Sequence, residues 1–215
     1  MAPPANIPLW DPSSVFMTTL RKLELFQSYI PEKFRLTDLN IYIHKEQHIT
    51  GAVFFLHALC HAAMFDLTRI SMPGFAFPLA AGFRNSPIEF QLDCQRRCRF
   101  HASEASNIFS QAFIHDTTVF DQPFIADVAL ESAKIQIIYS ATVDNSVQLV
   151  ETTKHNLRTN LRFLQFMHAG KEGRSPHVGL EGSTEREILQ SESMLTSTGP
   201  SYPALVRVLW AARFR

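Results

Sequence analysis

The strongest constraint in the chain is the run GAVFFLHALCHAAMFDLTRI, from Gly51 to Ile70, closed by the breaker pair Pro73-Gly74. On a helix it is apolar nearly all round, with a narrow polar stripe through His57, His61, Asp66 and Arg69. Such a helix must be covered on most sides, so Val53 to Ile70 is predicted at the centre of an irregular all-α multi-helix bundle. Its most apolar part, from Gly51 to Phe65, is shorter than the roughly 20 residues that span a bilayer. His57 and His61 interrupt it further, and a buried core helix with no membrane contact is expected.

Caps and periodicity supply the covering helices. Ser13 or Ser14 can cap VFMTTLRKLELFQSYI, in which Phe16, Leu20, Leu23 and Phe26 recur at three or four residues before Pro31. Thr37 can cap DLNIYIHKEQHI, which leads through Gly51 into the central run. Ser86 as N-cap, Pro87 at the first helical position and Glu89 as capping-box partner predict the next start. Beyond it, Cys94, Cys98, Ala102, Ala105, Ile108, Phe109 and Ala112 form a stripe of small residues suited to close packing. Asp121 and Pro123 open a fourth long helix, although its IQIIYSAT end has strand-like composition. Ser146 begins a fifth, with Leu149, Thr153, Leu157, Leu161 and Leu164 inward and Lys154, Arg158 and Arg162 on a basic face, ending near Gly170.

Residues 1–170 therefore read as one helical domain. Residues 171–215 read as a Gly- and charge-rich connector followed by short helical runs around TEREILQSESML and PALVRVLWAARFR. The last run would put Leu205, Val208, Leu209 and Ala212 on one side of a helix.

A chain of 215 residues that is 46% hydrophobic can bury one full core. Twenty basic and twenty acidic residues cancel, which argues against a polyanion-binding surface and against direct DNA binding. The three cysteines, Cys60, Cys94 and Cys98, fall inside helical patterns, and no secretory signal is visible in MAPPANIPLW. Reduced, intracellular thiols are the expectation.

Two clusters could carry chemistry. His57, Cys60 and His61 share a helix face at i, i+3 and i+4 and could offer ligands to zinc. The alternative is a pair of histidines hydrogen-bonded along a buried polar stripe. Cys94, Cys98 and His101 fall at i, i+4 and i+7, where the thiols equally serve as small apolar residues. Cys60 and His61 point about 100° apart, which rejects a nucleophile–base pair. Asp66 and Arg69, one turn apart, are expected to form an ion pair. No phosphate loop, G-x-S-x-G elbow or H-E-x-x-H occurs, so neither catalytic residues nor a cofactor are assigned.

Several runs in order, LWDPSSVF, LTDLNIYIH, FFLHALCHAAMFDLTRISMPGF, FQLDCQRRCRFHASEASNIF, ESAKIQIIYSAT and HNLRTNLRFL, resemble the regulatory domain of fungal zinc-cluster transcription factors over residues 9 to 170. The DLTRISMPGF stop followed by the C-x-x-x-C-x-x-H-A helix is the most specific pair. The resemblance implies a non-catalytic nuclear domain that regulates RNA polymerase II transcription through intramolecular control, protein partners or a homodimer. Zinc would belong only to the family's DNA-reading module. The first part of the family's helical region is not recognisable, so the chain resembles a C-terminal portion. Some of Val53, Phe54, Leu56 and Phe65 is then expected to stay uncovered. Two rivals are a small-molecule sensor with a pocket lined by His57, His61 and Arg69, and a zinc-dependent enzyme.

Overall fold

A computed structural model describes residues 7–74, 80–117 and 123–171. Among them the chain forms seven α-helices and no strand: α1 Val15–Ser28, α2 Asp38–Glu46, α3 Thr50–Thr68, α4 Ala80–Arg84, α5 Ile88–His115, α6 Pro123–Thr142 and α7 Val147–Lys171. Two 3-10 turns, Glu32–Phe34 and Arg69–Ser71, flank the α2–α3 unit. The fold is the all-α multi-helix bundle that the periodicity requires. The short runs expected beyond residue 171 lie outside the described residues, as does Asp121.

Ser14 caps α1, its hydroxyl accepting from the Met17 N–H at 3.1 Å and donating to the Leu9 carbonyl at 2.7 Å. Thr37 caps α2 through the Asn40 N–H. Between α2 and α3 the chain turns sharply, with His48 at φ 56°, a left-handed conformation usually left to glycine or asparagine. No side chain at Ile49 caps α3. Instead Asp116, at the far end of α5, accepts from the Gly51 N–H at 2.9 Å, which sets a carboxylate at the positive end of the α3 dipole.

The capping box expected at Ser86 does not form. α5 begins at Ile88 behind Pro87, without a side-chain cap, because the Ser86 hydroxyl donates backward to the Phe83 carbonyl at 2.6 Å and closes the last turn of α4. α4 itself carries no periodicity long enough to read from sequence. It is held by an aromatic cluster in which Phe83 stacks on Phe90 at 5.4 Å and meets Phe16 edge-on at 5.3 Å.

The centre is shared between two helices. α3 packs against α1, α2, α5 and α6, while α5 packs against α3, α6 and α7. The expected α5 stripe is buried from Cys94 through Ala112, and its alanines let α6 approach closely. α6 is also enclosed on most sides. Its Ile135 and Ile138 are buried in the main core and Ile137 in a second cluster with Leu157 of α7, which explains how a strand-like composition sits in a helix. α7 closes the bundle, with Phe163 stacked on Phe109 of α5 at 4.8 Å. Leu149, Thr153, Leu157 and Leu164 are buried, as expected, while Arg158 and Arg162 are exposed and Lys154 is partly covered. Gly170 does not stop the helix, which runs on to Lys171.

Val53, Phe54 and Phe65 are buried, and Leu56 is partly covered, so the surface expected to stay open on α3 is largely closed within the chain itself. By length and composition alone Thr50–Ser71 could cross a membrane, a longer run than Gly51 to Phe65 suggests, but its neighbours in the bundle enclose much of it. Apolar surface is exposed elsewhere: Phe26, expected inward on α1, faces solvent, as do Leu39, Tyr42 and Ile43 on α2.

Candidate functional site

The polar stripe of α3 divides among three neighbours. His57 Nε2 donates to the Phe34 carbonyl at 2.8 Å, across the boundary between α3 and the 3-10 turn. His44, on α2, donates from Nε2 to the adjacent Lys33 carbonyl at 2.7 Å. Two histidines from two helices thus hold consecutive carbonyls of one turn, each through an Nε2–H. The sequence reading did not single out His44, although an inward histidine one turn after Ile41 was the available signal.

One turn further along α3, His61 meets His101 of α5, Nδ1 to Nδ1 at 2.9 Å. Both rings are buried. One must carry its proton on Nδ1 and the other on Nε2, since an Nδ1–Nδ1 hydrogen bond between neutral imidazoles needs one donor and one acceptor. Burial, reinforced by the charges of His101 and His57, lowers the His61 pKa to about 3. Burial and the Arg97 cation lower that of His101 to about 4. The pair is neutral at physiological pH.

The third portion is ionic. Arg69 binds Asp66 at 2.7 Å, as the spacing predicts, and also binds Glu131 of α6 at 2.9 Å, which in turn holds Lys134 at 2.7 Å. Glu131 lies 62 residues from Arg69, beyond the reach of local sequence reasoning. On α5, Arg97 bridges Asp93 of the same helix and Glu24 of α1. His57, His61, Asp66 and Arg69 therefore do not converge on one space.

The thiols behave as small apolar groups. Cys94 joins Phe16, Leu20, Met64 and Phe83 in the cluster under α1, and burial raises its pKa to about 12. Cys98 is enclosed in the main core and donates weakly to the Phe65 carbonyl at 3.6 Å, its pKa pushed up by burial. Of the trio Cys94, Cys98 and His101, only His101 meets a side chain of α3 in a close hydrogen bond, while Cys98 makes its weak contact with the α3 backbone. Among the described residues no three His, Cys, Asp or Glu side chains are grouped as a metal's ligands.

No family model, curated protein or solved structure matches the chain. The local chemistry has to carry the interpretation.

The largest polar constellation is one that the sequence reading overlooked. Ser106 of α5, Ser132 and Gln136 of α6, and Asn156 and Asn160 of α7 are all almost fully buried. Ser132 donates to the Ala102 carbonyl at 2.7 Å, and its oxygen receives Gln136 Nε2 at 3.1 Å and Asn160 Nδ2 at 3.3 Å. Gln136 Oε1 accepts from Asn156 Nδ2 at 2.7 Å, and the same amide reaches the Ser103 hydroxyl at 2.9 Å. Asn160 Oδ1 has no hydrogen-bond partner among the described residues. The network links three helices in one register, a role well suited to buried polar groups. Its signal was present: Ser132 and Gln136 lie at i, i+4, and Thr153, Asn156 and Asn160 lie on the same stripe as Leu149, Leu157 and Leu164.

Proposed function

We propose that the chain is a non-catalytic regulatory domain of a fungal transcription factor, acting in the nucleus on RNA polymerase II transcription through intramolecular control or protein partners. The supporting observation is how its polar stripe is used. His57, His61, Asp66 and Arg69 are each engaged in bonds between neighbouring elements, the arrangement of a scaffold rather than of a reactive site. The ordered resemblance of residues 9 to 170 supplies the transcriptional context, and zero net charge disfavours direct contact with DNA. A sensor lined by His57, His61 and Arg69 would require these side chains to leave their present partners and converge.

The test is to fuse the full chain to an unrelated DNA-binding module and measure a reporter downstream of that module's site in fungal cells. The expected result is a several-fold rise or fall relative to the module alone, while the chain by itself produces no sequence-dependent mobility shift at sub-micromolar concentration. An unchanged reporter with the fusion expressed and nuclear would overturn the reading. Stoichiometric zinc in purified chain would favour the enzyme instead.

A further inference from the structure

α2 has two apolar faces. At about 100° per residue, Ile41 and His44 fall on one side and are buried, while Leu39, Tyr42, Ile43 and Glu46 fall on the other. Of that outer set, Leu39 is 69%, Tyr42 64% and Ile43 41% exposed. Three large apolar side chains at i, i+3 and i+4 form the pattern by which a short helix receives a second amphipathic helix. Glu46 continues the stripe at one end, and Asp38 stands beside it at the other.

The C-terminal run carries a matching pattern. In PALVRVLWAARFR, Leu205, Val208, Leu209 and Ala212 repeat the spacing of Leu39, Tyr42, Ile43 and Glu46, and the run has Arg207, Arg213 and Arg215 with no acidic side chain. The described chain also ends at the side of the bundle where α2 joins α3. Near the end of α7, Phe166 meets Phe113 of α5 edge-on at 6.0 Å, and Arg162 lies over the same ring at 4.3 Å. Three residues on, Asp116 caps Gly51, at the corner where α2 turns into α3. Lys171 thus leaves the bundle at the end that carries α2. About thirty residues separate it from Leu205, and a flexible tether of that length has a root-mean-square span of about 30 Å. Such a tether gives an effective concentration on the order of millimolar, enough to populate a contact too small to persist between separate molecules. A helix of this length is marginal in water, so it would order as it docks.

We propose that the C-terminal segment Pro203–Arg215 docks in cis on the outer face of α2, its Leu205, Val208 and Leu209 covering Leu39, Tyr42 and Ile43. Arg213 and Arg215 flank that stripe and complement Glu46 and Asp38, which favours this segment over an acidic partner. The contact makes α2 an internally masked surface, and it stands independently of the transcriptional reading.

The test uses the full chain with Trp10→Phe, Trp210→Phe and Val208→Trp, which leaves a single tryptophan and sets it on the Leu205–Leu209 stripe, since position 210 falls on the opposite side of that helix. The expected result, at low micromolar concentration with a monomeric mass by light scattering, is acrylamide quenching of this one tryptophan several-fold weaker than that of free indole. Tyr42→Asp and, separately, Leu209→Asp should each restore free-indole quenching. Leu209→Asp should also speed amide exchange in residues 38–46 roughly tenfold, with no change in α5 and no loss of helical circular dichroism. Free-indole quenching in the parent chain would overturn the proposal, as would protection that survives Tyr42→Asp in a folded protein. Protection that appears only with a dimeric mass and vanishes on dilution would overturn docking in cis and assign the face to a second copy.

Discussion

His61 and His101 meet Nδ1 to Nδ1 at 2.9 Å between α3 and α5, so a single proton serves both ring nitrogens. The bond exists only while at least one ring is neutral, and burial keeps both neutral over the physiological range. Protonation of both rings would break it and set two cations face to face in the core.

The consequence for stability has a definite sign. Unfolded histidines titrate near 6.5, whereas these two titrate near 3 and 4 in the fold. Below about pH 6.5 the unfolded chain takes up protons that the native state refuses, so stability falls as pH falls from 6.5 toward 4. The slope is at most about 1.4 kcal/mol per pH unit for each histidine. Urea midpoints measured from pH 7.5 to 5 should drop accordingly in the wild type. The double variant His61→Leu/His101→Leu should lose this component; an unchanged slope would mean that the acid sensitivity lies elsewhere.

Cys94 and Cys98 should be silent toward thiol reagents in the folded protein. Both thiols are buried, and burial holds them protonated far above neutral pH. Ellman's reagent at pH 8 is expected to label them only at the rate of unfolding, with full labelling in denaturant. Rapid native labelling would show that the surroundings of that thiol open readily, the cluster under α1 for Cys94 and the main core for Cys98.

Asp116→Ala removes the only side-chain cap on the first turn of α3 that the structure describes. Loss of the hydrogen bond and of the charge–dipole attraction should cost about 1 kcal/mol, up to about 2 in this partly buried setting. Asp116→Asn should recover part of the loss, because the amide oxygen can still accept. Chemical denaturation of the three proteins checks the ranking, and equal stabilities would show that α3 starts without this cap.

Gln136→Leu leaves Asn156 Nδ2 without its 2.7 Å acceptor in the interior. The expected cost is about 1–3 kcal/mol, the usual penalty for stranding a buried donor. Gln136→Leu/Asn156→Leu should cost less than the sum of the single changes, because neither amide then remains without the other. Strict additivity in a double-mutant cycle would show that the two side chains do not interact.

What could be read from sequence divides along physical lines. The Ser14 cap and apolar stripe of α1, and the α5 stripe from Cys94 to Ala112, follow from local rules because each signal lies within one short segment. The Asp66–Arg69 pair follows from one helical turn. Ser86 misled because its hydroxyl had two suitable targets, and competition with α4 decided between them. The bonds that divide the candidate stripe, His57 to Phe34, His61 to His101 and Arg69 to Glu131, span 23, 40 and 62 residues, and only the folded chain brings their ends together. The Ser132–Gln136–Asn156–Asn160 network was passed over because each residue alone resembles an ordinary polar helix position.

The two imidazoles that grip neighbouring carbonyls of the Glu32–Phe34 turn also impose an order on how the molecule comes apart. His44 rises from α2 and His57 from α3, so α2 cannot lift from the bundle without releasing the turn from at least one of them. Residues 32–46 should therefore exchange their amide hydrogens as a single cooperative unit, opening well before the α5–α6–α7 layers that the serine and amide network ties together. The clamp acts as a latch: it gives the first excursion from the native state a defined boundary at the α2–α3 corner, in place of gradual fraying from the N-terminal side.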